Sequence, residues 1–147
     1  MSIQDRLLDE MKSAMKAKDA LRLSTIRMAR TAIKNAEIEA RQALEHEAVI
    51  KVLSTMVKQR REAADAYRLS RPELAEKEEL ELAVLQEFLP QPLTPEEVEG
   101  IVAQVIAELG ASSMKDMGAV MKQVTAQTVG RADGKQVSNL VRQSLNR

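Results

Sequence analysis

Three prolines fall within the six residues 90–95, inside the stretch Glu87–Phe88–Leu89–Pro90–Gln91–Pro92–Leu93–Thr94–Pro95. Each proline lacks a backbone N–H and fixes its own φ. Leu89, Gln91 and Thr94 are also pushed away from the α region because each precedes one. A helix arriving at Phe88 must stop here, and a new one is set up at once. Thr94 can cap it, Pro95 suits its first turn, and Glu97 completes a capping box. A turn inside one domain fits this stretch, and so does a semi-rigid spacer docked through Phe88, Leu89 and Leu93. The composition changes across the break, which favours the spacer.

With one Phe, one Tyr and no Trp in 147 residues, any core must be built from Leu, Ile, Val, Met and Ala. That suits helix packing better than a sheet. The absence of Cys removes disulfides, thiolate metal sites and a Cys nucleophile, as fits a reducing compartment. The first residues, Met1–Asp5, carry an acid and no apolar h-region, so no secretory leader is expected, and no apolar run reaches membrane-spanning length. A soluble, cytoplasmic protein is the expectation, with neither a membrane nor DNA as partner. The 22 basic and 22 acidic residues cancel, but they are segregated. Residues 12–34 carry seven Lys/Arg against Asp19, residues 73–87 carry six Glu against Lys77, and the chain from Gly110 carries six Lys/Arg against Asp116 and Asp133. Local basic faces leave room for a phosphate-bearing partner.

In chain order, apolar spacing predicts a helix over 2–17 with the stripe Ile3, Leu7, Leu8, Met11, Ala14 and Met15, capped by Ser2 and Asp5. Asp19 caps a second helix whose stripe runs Leu23, Ile26, Ala29, Ile33, Ala36 and Ala40; Arg27, Arg30 and Lys34 lie opposite. A third, over 45–69, packs Val49 through Tyr67 and presents Lys58, Arg60, Arg61 and Arg68 outward. A fourth, over 72–88, is Glu-rich outside. Beyond the break, Val98 to Leu109 make a stripe stopped by Gly110. Ser113 and Asp116 cap a helix with the face Met114, Met117, Val120, Met121 and Val124, and Asp133 caps a last one bearing Val137 to Leu145. No run has the two-residue alternation of a strand. The expected fold is all-α: an N-terminal four-helix hairpin or bundle over 1–89, a Pro-rich hinge at 90–93, and a three-helix domain over 94–147.

The C-terminal runs Gly110–Met121 and Val129–Ser138 resemble the YqeY-like proteins. So do Met15–Asp19, Leu23–Met28, Val57–Arg61 and the Phe88–Leu89–Pro90 turn. That family shares its fold with the tail of GatB, a subunit of the glutamine-dependent aminoacyl-tRNA amidotransferase. The resemblance implies an all-helical protein in two parts, related to a tail that helps hold tRNA while chemistry occurs elsewhere. It also implies a family label of carbon–nitrogen ligase with glutamine as amido-N-donor. The kinase-like domain of GatB is missing from this sequence.

The residues themselves offer little for catalysis. Ser112–Ser113–Met114–Lys115 has an S-x-x-K spacing, but it follows a Gly stop and opens a helix, where a serine caps. His46 lacks converging metal ligands. Glu76, Glu78, Glu79 and Glu81 read as a solvated face. No Gly-rich loop has nucleotide-binding spacing. No catalytic residue, metal or cofactor is therefore expected. The basic faces remain. Without aromatics to stack bases, single-stranded readout is disfavoured, whereas a folded RNA can be held by its phosphates alone. The expectation is a non-catalytic adaptor that contacts tRNA through Lys115, Lys122, Arg131, Lys135 and Arg142, with Arg27, Arg30, Lys34 and Arg61 as a second surface. A module docking an amidotransferase or aminoacyl-tRNA synthetase through apolar and acidic faces is the alternative. An independent amidase using Ser113 is the third reading.

Overall fold

A computed structural model describes residues 1–146. Among them are seven α-helices, one 3₁₀ turn and no strand, so the chain is all-helical. It divides into two compact units, Met1–Pro90 and Gln91–Arg147.

The first unit holds α1 (Ile3–Ala17), α2 (Ala20–Ala40), α3 (His46–Tyr67) and α4 (Pro72–Gln86). Local chemistry sets their ends. Ser2 Oγ accepts from the Asp5 N–H at 3.1 Å while Asp5 Oδ2 accepts from the Ser2 N–H at 3.1 Å. The Ser2 backbone N–H, and after it the Ser2 hydroxyl, hold the Asp5 carboxyl below its usual range. Asp19 caps α2 through the Arg22 N–H. Both α1 and α2 end in left-handed residues, Lys18 and Arg41, each at φ 57°. In each case the next N–H reaches back five residues, Asp19 to Ala14 O and Gln42 to Glu37 O. That is the Schellman ending, which a glycine adopts at least cost. α1 packs on α2, α3 runs along α4, and α2 touches both α3 and α4. Leu7, Ile26, Leu53 and Leu85 are fully buried between them.

Several stripe positions behave otherwise than their spacing suggests. Met15 is 50 % exposed, because it lies about 100° round the helix from buried Ala14 and α1 packs mainly on one helix. Ala40 and Tyr67 are also exposed, each as the last residue of its helix. Most consequential is Glu81. It was expected on a solvated face, yet it is only 6 % exposed, turned inward to meet Arg60 of α3.

The second unit holds α5 (Pro95–Leu109), a 3₁₀ turn (Met114–Asp116), α6 (Met117–Thr128) and α7 (Gly134–Leu145). Thr94 and Glu97 form the capping box that opens α5. Gly110 closes that helix at φ 64°, where any side chain would be strained. The core is almost entirely valine: Val98, Val102, Val105, Val120, Val124, Val137 and Val141, closed by Leu145. Met114 lies outside it at 41 % exposure, since the 3₁₀ turn breaks the 3.6-residue register before α6 begins. Gly100 sits mid-helix in α5, and a Cβ there would meet nothing within 4 Å. Gly100→Ala is therefore expected to raise stability by about 0.5–1 kcal/mol, chiefly by restricting the unfolded chain. Urea unfolding monitored by circular dichroism would detect it as a higher midpoint at unchanged slope.

Candidate nucleic-acid interface

On α2, Arg27, Arg30 and Lys34 recur at spacings of three and four, so they share one face. All three are exposed, opposite buried Ile26, Ala29 and Ile33. The Arg30 Nη1 donates to Met11 Sδ of α1 at 3.2 Å, which steadies the guanidinium without neutralising it. The other arginines of this unit are mostly engaged. Arg22 reaches Glu87 at 2.6 Å and Glu10 at 2.8 Å; the hydrogen bond to Glu87, then that to Glu10, hold its guanidinium still more firmly protonated. Arg6 donates to the Glu87 carbonyl at 2.8 Å and lies 5.3 Å over the Phe88 ring. Arg71 pairs with Glu73 at 2.7 Å.

α3 is not the continuous basic face its sequence suggests. Arg60 is turned inward, its Nε 3.4 Å from Glu81 Oε2 and its Nη2 3.5 Å from Met28 Sδ. Arg68 is neutralised by Asp65 and Glu79, each at 2.9 Å. Arg61 is half-buried. Of the four, Lys58 and Arg68 are exposed, and Arg68 is paired with Asp65 and Glu79.

In the second unit, Lys135 and Arg142 share a stripe of α7 seven residues apart, about 10 Å along the axis, and both are exposed. Lys122 is exposed on α6 and Lys115 on the 3₁₀ turn, so these two sit on separate elements. Arg131 is half-buried in the α6–α7 connection. Its Nε donates to the Gln91 carbonyl at 3.1 Å, and its own carbonyl accepts from the Leu93 N–H at 2.7 Å. Arg131 thus fastens the proline segment. Asp133 Oδ1 caps α7 through the Lys135 N–H at 3.3 Å, which places a carboxylate where an anion would have to approach.

The serine motif is a cap. Ser113 Oγ accepts from the Lys115 N–H at 3.4 Å, and Asp116 Oδ2 accepts from the N–H groups of Ser112 and Ser113 at 3.0 and 3.4 Å. His46 is exposed at the first position of α3. Among the described residues no cluster of His, Cys, Asp or Glu could hold a metal ion, and no helix is long and apolar enough to cross a membrane. An open cleft of about 360 Å³ lies in the first unit, lined by Arg6, Asp9, Glu10, Arg22, Glu87 and Phe88 beside Met1. Sequence reading missed this network. Arg22 and Glu87 stand 65 positions apart, and no local spacing reports such a pair.

The chain is 39 % identical over 85 residues to "Altered inheritance of mitochondria protein 41, mitochondrial" of Eremothecium gossypii, covering 56 % of this chain and 46 % of that protein. It is 34 % identical to the proteins of that name in Lachancea thermotolerans over 111 residues and Vanderwaltozyma polyspora over 119. Those matches cover 73 % and 76 % of this chain, and 59 % and 64 % of the relatives. The chain thus spans roughly half to just under two thirds of the curated relatives' length. The cytoplasmic expectation is corrected here, because these relatives are mitochondrial by name. A lack of Cys is compatible with more than one compartment and does not select among them. The profile of the Yqey-like protein family matches residues 4–145, essentially the whole chain, and the chain belongs to that family.

Proposed function

We propose that the protein is a non-catalytic helical adaptor that holds tRNA by its phosphates, as the tail of the glutamine-dependent aminoacyl-tRNA amidotransferase does. The units Met1–Pro90 and Gln91–Arg147 serve in this reading as a four-helix and a three-helix module joined at the proline segment. The observation that carries it is the exposed cationic face of α2, Arg27–Arg30–Lys34, in a unit whose other arginines are largely bound to carboxylates or carbonyls. Lys135 and Arg142 on α7, with Lys115, Lys122 and Arg131, provide the second surface. Backbone phosphate contacts need only such charges, held at fixed spacing on rigid helices. The reading gives Ser113 a structural role and assigns the family's ligase label to partner proteins. The relatives' names make mitochondria the compartment proposed.

Filter binding of tRNA at 50 and 200 mM salt tests it. With about six phosphate contacts, affinity should fall roughly 10³-fold between the two. Arg27→Ala with Arg30→Ala and Lys34→Ala should flatten that dependence by about two to three units of log–log slope. Binding that is absent, or indifferent to salt, rejects the reading.

Docking of an amidotransferase or synthetase is the second reading. It is favoured by Leu80, 49 % exposed on α4 among Glu73, Glu76 and Glu79. Pull-down with those glutamates changed to Gln separates it from RNA binding.

A further inference from the structure

We infer that Arg41 is a fourth phosphate-binding residue, extending the α2 cations into one rail that runs to the end of the helix and seats an RNA backbone. The inference rests on the RNA-binding reading above and adds a residue and a length to it. At about 100° and 1.5 Å per residue, the Cα atoms of Arg27, Arg30, Lys34 and Arg41 fall within an arc of about 60° and span about 21 Å. All four are exposed. One acid interrupts the line, Glu37, and its carboxylate is half-buried and pinned, accepting from the Leu44 N–H at 3.0 Å.

The backbone at Arg41 is the second observation. Arg41 occupies the left-handed region at φ 57° and closes α2, as Gly110 closes α5. A side chain there is strained where glycine is not. A cation at a helix C-terminus recovers part of that through the helix dipole, but so would one at any position of the last turn. Arg41 instead sits where the line of α2 cations continues, and its guanidinium has no partner among the described residues. Lys18 has the same φ of 57° at the other end of the α1–α2 pair, away from the rail, and serves as the control.

The test is Arg41→Gly in the full chain, probed with tRNA across a salt series and with thermal unfolding. The unfolding midpoint should rise, because strain is relieved, while the log–log salt slope falls by about 0.7–0.9. Arg41→Lys should keep the slope, and Lys18→Gly should raise the midpoint with the slope unchanged. A slope that survives Arg41→Gly but drops in Arg27→Ala overturns the rail and leaves the RNA reading standing. A wild-type protein that binds anionic phospholipid vesicles and not tRNA overturns both.

Discussion

Glu81→Ala is expected to cost about 3 kcal/mol, the largest effect of any single polar substitution in the first unit. The Arg60–Glu81 pair bridges α3 and α4 with both side chains largely removed from water. Its geometry is imperfect: at 3.4 Å the Arg60 Nε makes no aligned hydrogen bond, and that atom is buried. Such a pair adds little net stability, yet removing one partner leaves an uncompensated buried charge, which costs roughly 3–5 kcal/mol. The low end applies because Arg60 keeps some solvent access. In a unit of about 90 residues that loss corresponds to a melting point roughly 12–24 °C lower. Replacing both partners, Glu81→Leu with Arg60→Met, should restore most of it, since neither charge then needs solvation. Calorimetry of the three proteins decides: a loss under about 1 kcal/mol for Glu81→Ala would mean that Arg60 is hydrated after all.

Phe88→Ala should be comparably damaging, but by loss of packing. Phe88 is the chain's one phenylalanine and is only 2 % exposed beneath the Arg6 guanidinium. Truncating such a ring costs about 3–5 kcal/mol, the transfer of its atoms plus the cavity left behind. That is a large share of what a domain this small possesses. If the two units behave as separate modules, the loss falls on Met1–Pro90 alone. Hydrogen exchange resolved by residue should then show α1–α4 opening more often while the Val98, Val102 and Val105 amides of α5 keep their protection. Equal loss in both units would show that they unfold as one.

Much of the helical framework was legible because its signals are local. Ser2 with Asp5, Thr94 with Glu97, and Ser113 with Asp116 each close across three residues, so spacing alone reveals them. The absence of strands among the described residues followed from apolar periodicity in the same way. What escaped were the features made by residues far apart in the chain. Nothing in the Glu-rich run marks Glu81 as the inward one until α3 is laid beside α4. Periodicity placed Met15 and Met114 on apolar stripes, but it cannot say how wide a stripe the neighbouring helix covers. The basic residues divided likewise. Arg27, Arg30 and Lys34 stayed exposed, Arg60 was turned inward to Glu81, and the exposed Arg68 gained Glu79 of α4 beside its local partner Asp65.

The bonds from Arg131 to the proline segment matter for anyone dissecting this protein. A fragment begun at the first residue of α5, or at its cap Thr94, would discard the Gln91 carbonyl and the Leu93 N–H together. The α6–α7 connection would then lose its strap, and the Arg131 guanidinium would lose the bond that orients it in the intact chain. Weak RNA binding by such a fragment would be an artefact of where the cut was made. The second unit should be expressed from Gln91 onward.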